Sequence, residues 1–597
     1  MNLKQAPQEL LEKLNLCDID NLYKLENNQI QLNKLFKVGY IKQHKSRYIL
    51  ESIFENKSFE VKDFSGIDEG TLVLARVIFN PRGKIKVKIE KVLNETKNPI
   101  LVYIEEKKLK NFKTKGMRNS DLDLSSYDEL DLFLLQNNSL EKLGNLNDPQ
   151  IDDIVSLYLY KQEYRVKRYE YKLNAEQKTI HYKNRLNLKD FDFCTIDPKT
   201  AKDHDDAIYY DNKENTLYVA IADVSSYVIE GSELDNEARK RAFSAYFPNK
   251  VLPMLPFSLS ADMCSLKPNE TRYAYVCKIE FDENHSVKKS QFIEAVIESK
   301  NNFSYEYIDE LIENDTLGVS LKELLQITQK LRKRRLKNGY DFRSIEYRLQ
   351  LDKNEELQDV SIEQSSPSHH LVEECMLLAN QEAAKKIEGL GIYRVHEEPD
   401  IKKIDTLIEK LKIFGLEIKK QKNTHATILE MQKQASRLGI EAEVDKLIIE
   451  SQQQAKYSAV KQSHFGLGFS DYSHFTSPIR RYSDLVLHRL LKTKKVPNDI
   501  DGVCEYISTT EREITQMVWD LEERKYARWA KKHIGEIFTA KVVQNEEYPK
   551  VDFVGGMEGL RAQILNYHGE QLFSSVKVEI ISSDFIDKTI IVKIVTK

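Results

Sequence analysis

Residues 196–208 read "IDPKTAKDHDDAI". Four aspartates, Asp197, Asp203, Asp205 and Asp206, fall within ten residues, after the apolar "FDFCTI" and before "AIYY". "AIYY" and "TLYVAIADV" read as a hairpin around "DNKEN", so the aspartates occupy a loop that runs into a strand. Alternation along that strand puts Asp203 and Asp205 on one side and Asp206 on the other. The turn after Asp197-Pro198 can bring Asp197 back toward them. Carboxylates this close raise one another's pKa and need a cation to be stable together. Hard oxygen donors select Mg²⁺, Mn²⁺ or Ca²⁺ over zinc. On spacing alone, a solvated acidic loop competes evenly with a Mg²⁺ site for phosphoryl transfer, in which carboxylate-held metals activate water and stabilise a leaving oxygen. A calcium loop is the weaker third reading, because no central Gly and terminal Glu accompany the aspartates.

Composition bounds the rest. At roughly 150 residues per domain, 597 residues allow about four domains. A chain 41% hydrophobic and 31% charged suits globular domains with real cores. The formal net charge of -4 does not advertise a polyanion partner, so any nucleic-acid surface must be local. The six cysteines are scattered without a CxxC pair, which argues against a disulfide scaffold or a zinc ribbon. The start, "MNLKQAPQELLEKLNLCDID", has no apolar core of signal-peptide length, and no run of 18 apolar residues occurs. The expectation is a cytoplasmic monomer without a membrane span.

Periodicity predicts an α+β multidomain chain. Residues 1–30 read as a helical segment followed by loop. Over 31–95 the short strands "KVGYIKQHKSRYILES", "SFEVKDF", "GTLVLARVIF" and "KIKVKIEKVL" suggest an OB-type barrel. Tyr40, Tyr48, Lys42 and Lys45 on its early strands suit an RNA-binding face and equally a barrel whose tyrosines simply pack. Residues 96–185 hold a second, degenerate barrel and a linker. The block 186–535 starts as strands and turns mainly helical, and 536–597 returns to five short strands, again an OB-type barrel.

A second stretch, "HFGLGFSDYSHFTSPIRRYSDLVLHRL" (464–490), places Arg480 and Arg481 after Pro478 at the start of an apolar-periodic helix. Guanidinium suits bidentate phosphate contact, although an Arg pair beside Asp484 by itself reads as an ion-pair network. Together, "DPKTAKDHDDA" and "HFTSPIRRYSDLVLHR" resemble the two signature stretches of the ribonuclease II/ribonuclease R family. "AYFPNKVLPMLPFSLSADMCSLKPNETR", "HHLVEECMLLAN" and "GIYRVHEEPD" resemble the same family's catalytic (RNB) domain, in the right order, over about 186–535. The flanking barrels match its layout by pattern, and the "HFTSPIRRY" form leans toward the ribonuclease R type.

The resemblance implies a processive 3′-to-5′ hydrolytic exoribonuclease. It would act in RNA turnover on single-stranded RNA or RNA with a single-stranded 3′ end, releasing 5′-mononucleotides by a two-metal mechanism with Mg²⁺, or Mn²⁺ in its place. Asp197, Asp203, Asp205 and Asp206 match the family's metal carboxylates, with Asp205 closest to the chemical step. Arg480 matches the arginine at the scissile phosphate, and Arg481 a second RNA contact. Tyr246 and Phe342 match aromatics that clamp bases; Tyr305 and Glu373 match residues at the terminal nucleotide, where a polar group can read the 2′-hydroxyl. The family's late-helix Ala-Glu-Arg-Asp stretch aligns with "MVWD", so Val518 stands at the glutamate's place and Glu511, Glu513, Glu522 or Glu523 would have to substitute. That departure carries the alternative, a catalytically impaired RNA-binding protein that keeps the fold.

Overall fold

The computed structural model describes residues 10, 14–15, 17, 19, 21–26, 29–44, 47–55, 57–62, 70–79, 85–94, 99–118, 122–136, 139–161, 179–342, 346–545 and 547–595. The chain divides into two compact units, Met1–Leu159 and Tyr160–Lys597.

In the first unit, strands Phe36–His44, Arg47–Ser52, Ser58–Lys62, Leu72–Phe79 and Ile85–Asn94 close into a barrel. In sequence order they pair 1-2-3-5-4 and back to 1, with strands 3 and 5 parallel. That is a five-stranded OB-type barrel. Alternate residues fill it: Ile41, Leu50, Val73, Ala75 and Val87 are fully buried. Tyr48 packs against this core, whereas Tyr40 is exposed and Lys42 pairs with Glu51 at 2.6 Å. Lys45 lies outside the described residues. The expected loop before the barrel is instead a hairpin, Tyr23–Glu26 with Gln29–Leu32, whose Leu22 and Ile30 bury against the barrel end. Residues 100–145 form an open antiparallel five-stranded sheet. The expected second barrel is thus an open sheet followed by a helix, Asp152–Tyr160, and 162–178 of the expected linker lie outside the described residues.

The second unit is built on a seven-stranded sheet: β1 (Leu186–Asn187), β2 (Cys194–Asp197), β3 (Asp206–Asp211), β4 (Thr216–Ala222), β5 (Thr271–Phe281), β6 (Val287–Glu298) and β7 (Asn301–Ser304). Their order is β1-β6-β5-β4-β3-β2-β7, antiparallel except for the two edge pairs. "TLYVAIA" reads as a continuous apolar run because β4 is central and every residue in it is buried. Helices follow: α1 (Tyr305–Glu313), α2 (Val319–Arg335), α3 (Pro367–Lys385), α4 (Tyr482–Thr493) and α5 (Ile500–Lys532). On one face of the sheet Ser290 donates to Glu382 of α3 (2.7 Å), and Tyr275 meets His488 of α4 at 5.3 Å between ring centroids.

After α5, strands Ile537–Gln544, Lys550–Phe553, Arg561–Ile564, Ser575–Asp584 and Thr589–Ile594 close a second barrel with the same 1-2-3-5-4 connectivity. It is anchored to α5 by the buried Arg524, which donates to the Phe585 carbonyl at 2.7 Å, and by Lys588 on Asp520 at 2.8 Å. The N-terminal barrel, mixed central domain and C-terminal barrel make up the α+β multidomain fold expected from the periodicity.

Candidate active site

The aspartates gather at one end of the central sheet. Asp197 ends β2, Asp206 begins β3, and Asp203 and Asp205 sit on the loop between them. That end of the sheet meets the "SPIRRY" turn, 274 residues away in sequence, where the Ile479 N–H donates to Asp205 Oδ1 at 2.9 Å. Arg480 Nε lies 3.8 Å from Asp205 Oδ2 with its side chain 43% exposed. One guanidinium thus faces both the carboxylates and solvent.

The turn has its own scaffold. Asp484, fully buried in the first turn of α4, accepts from the Ser477 N–H (2.8 Å), from Arg481 Nε (2.9 Å) and Nη2 (2.8 Å), and from Ser483 Oγ (2.8 Å). Arg481 is therefore turned inward and held bidentately. Arg480 closes the turn, with its N–H and that of Arg481 directed at the Ser477 carbonyl (3.3 and 3.0 Å), and Arg481 follows in extended conformation, so one of the pair faces the site and the other the core.

The carboxylates are short of partners. Burial pushes Asp205 well above the ordinary carboxylate range, and Arg480 only partly offsets this. Burial and the neighbouring Asp197 push Asp206 up to about 7. Among the described residues no hydrogen bond or ion pair reaches the Asp206 carboxylate. Asp203 has the Tyr246 hydroxyl at 3.5 Å, and Asp197 accepts from His204 Nδ1 at 2.7 Å. The donor set, hard oxygens left with unfilled lone pairs, fits a hard divalent cation. The fit is one of donor chemistry: as they stand, no three or more His, Cys, Asp or Glu side chains among the described residues are grouped so as to hold a metal ion.

Tyr246 lies on a hairpin (Ala245–Tyr246 with Val251–Leu252) and is 43% exposed at the rim. Tyr305 opens α1 behind an Ser304 N-cap, with its ring stacked on His369 (3.8 Å, 15°). Burial and the Asp206 and Asp197 carboxylates raise its phenol pKa. Phe342 and Glu373 contact other residues rather than the carboxylates. Phe342 stacks on the buried Tyr340 (5.5 Å, 26°). Arg332 of α2 bridges Glu373 (2.9 Å) and Asp341 (2.8 Å). The next residue, Glu374, is buried on Arg335 at 2.6 Å, so Glu373 is the exposed member of the pair. Gly339 lets this loop approach closely: a Cβ there would lie 2.5 Å from the Leu467 carbonyl oxygen.

The "MVWD" segment is occupied with packing. Val518 is half-buried and Asp520 is buried between Arg524 and Lys588, at the C-terminal barrel. Of the glutamates that could substitute, Glu513 pairs with Lys161 (3.0 Å) and Glu523 with Lys588 (2.9 Å). Glu522 is pushed to about 7 by burial and Glu523. Glu511 alone connects toward the arginine turn: it holds Arg394 bidentately (2.7 and 3.0 Å), Arg394 lies over Tyr457 (4.8 Å), and the Tyr457 hydroxyl lies 3.2 Å from Ser483 Oγ. Sequence reasoning missed His204 and Arg332. His204 stood inside the quoted motif, where only the carboxylates were counted, whereas the ion pair of the Arg pair with Asp484 is the one the sequence offered.

The family model for the RNB domain matches residues 185–495. A curated ribonuclease R of Helicobacter pylori strain J99 is 42% identical over 424 residues, 67% of this chain and 64% of that relative. Ribonuclease R of a second Helicobacter pylori strain is 41% identical over 450 residues, covering 70% and 68%, and that of Thermotoga maritima is 34% identical over 440 residues, covering 67% and 61%. The chain thus spans just under two thirds of the first relative's length. Among solved structures, Mycoplasma genitalium RNase R in complex with ribose methylated single-stranded RNA superposes with a TM-score of 0.79 at 23% identity, over 94% of this chain and all of that one; it bears on the fold alone. With the RNB model spanning more than half of its residues and a relative matched over 68% of its own length at 41% identity, the chain belongs to the ribonuclease R family of RNB-domain proteins.

Proposed function

We propose that the protein is a processive 3′-to-5′ exoribonuclease that hydrolyses single-stranded RNA, or RNA with a single-stranded 3′ end, to 5′-mononucleotides. The observation that carries this reading is the junction of Asp205 with Ile479 and Arg480, which brings an acidic cluster and one solvent-facing guanidinium from distant segments to the same point. Asp197, Asp203, Asp205 and Asp206 would hold Mg²⁺ or Mn²⁺, which when bound in a pair supplies an activated water and charge stabilisation for the leaving oxygen. Arg480 contacts the scissile phosphate and offsets the charge that builds on its oxygens. The Ile479 N–H keeps Asp205 oriented, and Asp484 keeps Arg480 pointed outward by holding Arg481 inward.

Tyr246 and Phe342 stack on bases. Stacking is indifferent to base identity, as an enzyme that must pass every sequence requires. Tyr305, fixed by His369, and Glu373, fixed by Arg332, face the terminal nucleotide, where they read the 2′-hydroxyl. The C-terminal barrel adds a further RNA-binding surface. Such an enzyme works in RNA turnover in the cytoplasm, as a monomer. No helix among the described residues is long and apolar enough to cross a membrane.

The test is digestion of 5′-labelled single-stranded RNA with Mg²⁺, with and without EDTA, alongside Asp205→Asn. Mononucleotide release that EDTA and the substitution both abolish, while RNA binding persists, is expected. Equal turnover by the variant refutes the assignment, and binding without turnover by the unaltered protein establishes the impaired alternative instead.

A further inference from the structure

His204 stands in the middle of "KDHDD" and is itself buried. Its Nδ1 is 2.7 Å from Asp197 Oδ2, and its Nε2 is 2.7 Å from Asn302 Nδ2. A carboxylate can only accept, so Nδ1 carries the proton and donates to Asp197. In the neutral ring Nε2 then accepts, and the Asn302 amide N–H₂ is a donor. The two partners select the same tautomer.

The backbone makes this chain of bonds rigid. Asn302 lies on the edge strand β7, paired in parallel with β2 so that Asn302 is opposite Thr195 and Ser304 opposite Asp197. Asn302 and Asp197 are thus on the same face, two residues out of register. The imidazole spans that offset. Its own backbone is pinned at both ends: the His204 N–H donates to Ser265 Oγ at 3.0 Å, and its carbonyl accepts from the Leu266 N–H at 3.0 Å. Of the four aspartates, Asp197 is the one that a ring nitrogen holds, and it stands close enough to Asp206 to raise that carboxyl.

We infer that Asn302 and His204 form a positioning relay that sets the Asp197 carboxylate for the divalent cation. The relay occupies Oδ2 and leaves Oδ1 for the ion. Both act through Asp197 and are positioning residues. The inference rests on the metal-dependent reading proposed above and adds to it the device that orients one ligand. Outer partners that orient a metal ligand typically contribute about 10–100-fold in affinity.

The test uses the full chain stripped with EDTA and titrated with Mn²⁺ alone, followed by the loss of the free Mn²⁺ signal in electron paramagnetic resonance. His204→Phe fills the space without a hydrogen bond. His204→Gln can still donate to Asp197 through its amide nitrogen and accept from Asn302 through its oxygen. Asn302→Leu removes the outer donor on an edge strand, where a change of this size is tolerated best. Mn²⁺ affinity is expected to fall about 10–100-fold in His204→Phe, to fall in Asn302→Leu, and to recover most of the way in His204→Gln. His204→Phe or Asn302→Leu binding Mn²⁺ as the unaltered protein does, or His204→Gln no better than His204→Phe, overturns the relay. An unaltered protein that takes up no Mn²⁺ overturns the metal-dependent reading and the relay together; normal uptake with indifferent variants overturns the relay only.

Discussion

Asp484→Asn separates the scaffold of the arginine turn from its chemistry. The carboxylate is fully buried and accepts four hydrogen bonds, two at each oxygen. Oδ1 takes the Ser477 N–H and Arg481 Nη2; Oδ2 takes Arg481 Nε and Ser483 Oγ. An amide has the same shape but keeps one acceptor, so either orientation aims an N–H₂ at an Arg481 donor. The Ser483 hydroxyl can rotate and accept instead; the guanidinium cannot. Arg481, 16% exposed, is left a buried cation without a counter-charge. Breaking a buried pair from one side costs about 3–5 kcal/mol. At an m-value of roughly 3 kcal/mol/M this lowers the urea midpoint by on the order of 1 M. Both tryptophans, Trp519 and Trp529, lie on α5, so their fluorescence reports this unit of the chain. The double variant Arg481→Met with Asp484→Leu removes both charges, and since an ion pair replaced by apolar residues is often neutral, it should regain most of the stability. It should not regain activity. The turn that carries Ile479 and Arg480 to Asp205 would still be loosened, and a displacement of about 1 Å at a reacting centre costs about 10²-fold in rate. A midpoint shift in Asp484→Asn below about 0.3 M, or a double variant no more stable than the single, refutes the account of the turn.

Other outcomes follow from the same geometry. Tyr246→Ala and Phe342→Ala should each weaken single-stranded RNA binding by about 1–3 kcal/mol, roughly 5–150-fold, with similar losses on poly(A) and poly(U) in a filter-binding assay; a loss confined to one sequence would contradict stacking. Gly339→Ala should reproduce the Phe342→Ala defect without altering Mn²⁺ binding, because the added methyl meets the Leu467 carbonyl and displaces the loop, not the aspartates. Acid should destabilise the second unit through His488, whose pKa burial lowers to about 4; Nε2 donates to the Phe475 carbonyl (2.7 Å), and Nδ1 has no partner for a second proton. A folded pKa below the unfolded value of about 6.5 means this stabilisation is complete above pH 6.5 and is lost as the pH falls through about 4, some 3 kcal/mol in total. Urea midpoints measured from pH 8 to 4 should therefore decline below about 6.5, and a His488→Gln variant with the same slope would exclude this residue as the cause.

The sequence by itself determined the strands, the acidic loop and the family. Those signals are local: alternation around "TLYVAIADV", a loop with four aspartates in ten residues, and an Arg pair at a helix start. The barrels were legible for the same reason, since each strand announces itself in four to ten residues. Only the tertiary structure decided what each side chain does. "RR" offers two equivalent guanidinium groups on paper; packing puts Arg481 on the buried Asp484 and leaves Arg480 outside. "EE" offers two glutamates, and the α2–α3 contact buries Glu374 on Arg335 while Glu373 stays at the surface. "MVWD" looked like a damaged site, yet its Asp520 ties α5 to the C-terminal barrel, and the carboxylate that connects toward the arginine turn is Glu511, nine residues earlier. His204 was printed between the aspartates from the start, but its meaning depended on Asn302, 98 residues away and reachable only because β7 pairs with β2. Hydrogen bonds and burial join residues across such distances without leaving any periodicity in the chain, so charge and pattern can announce a site while its orientation must be found in the fold.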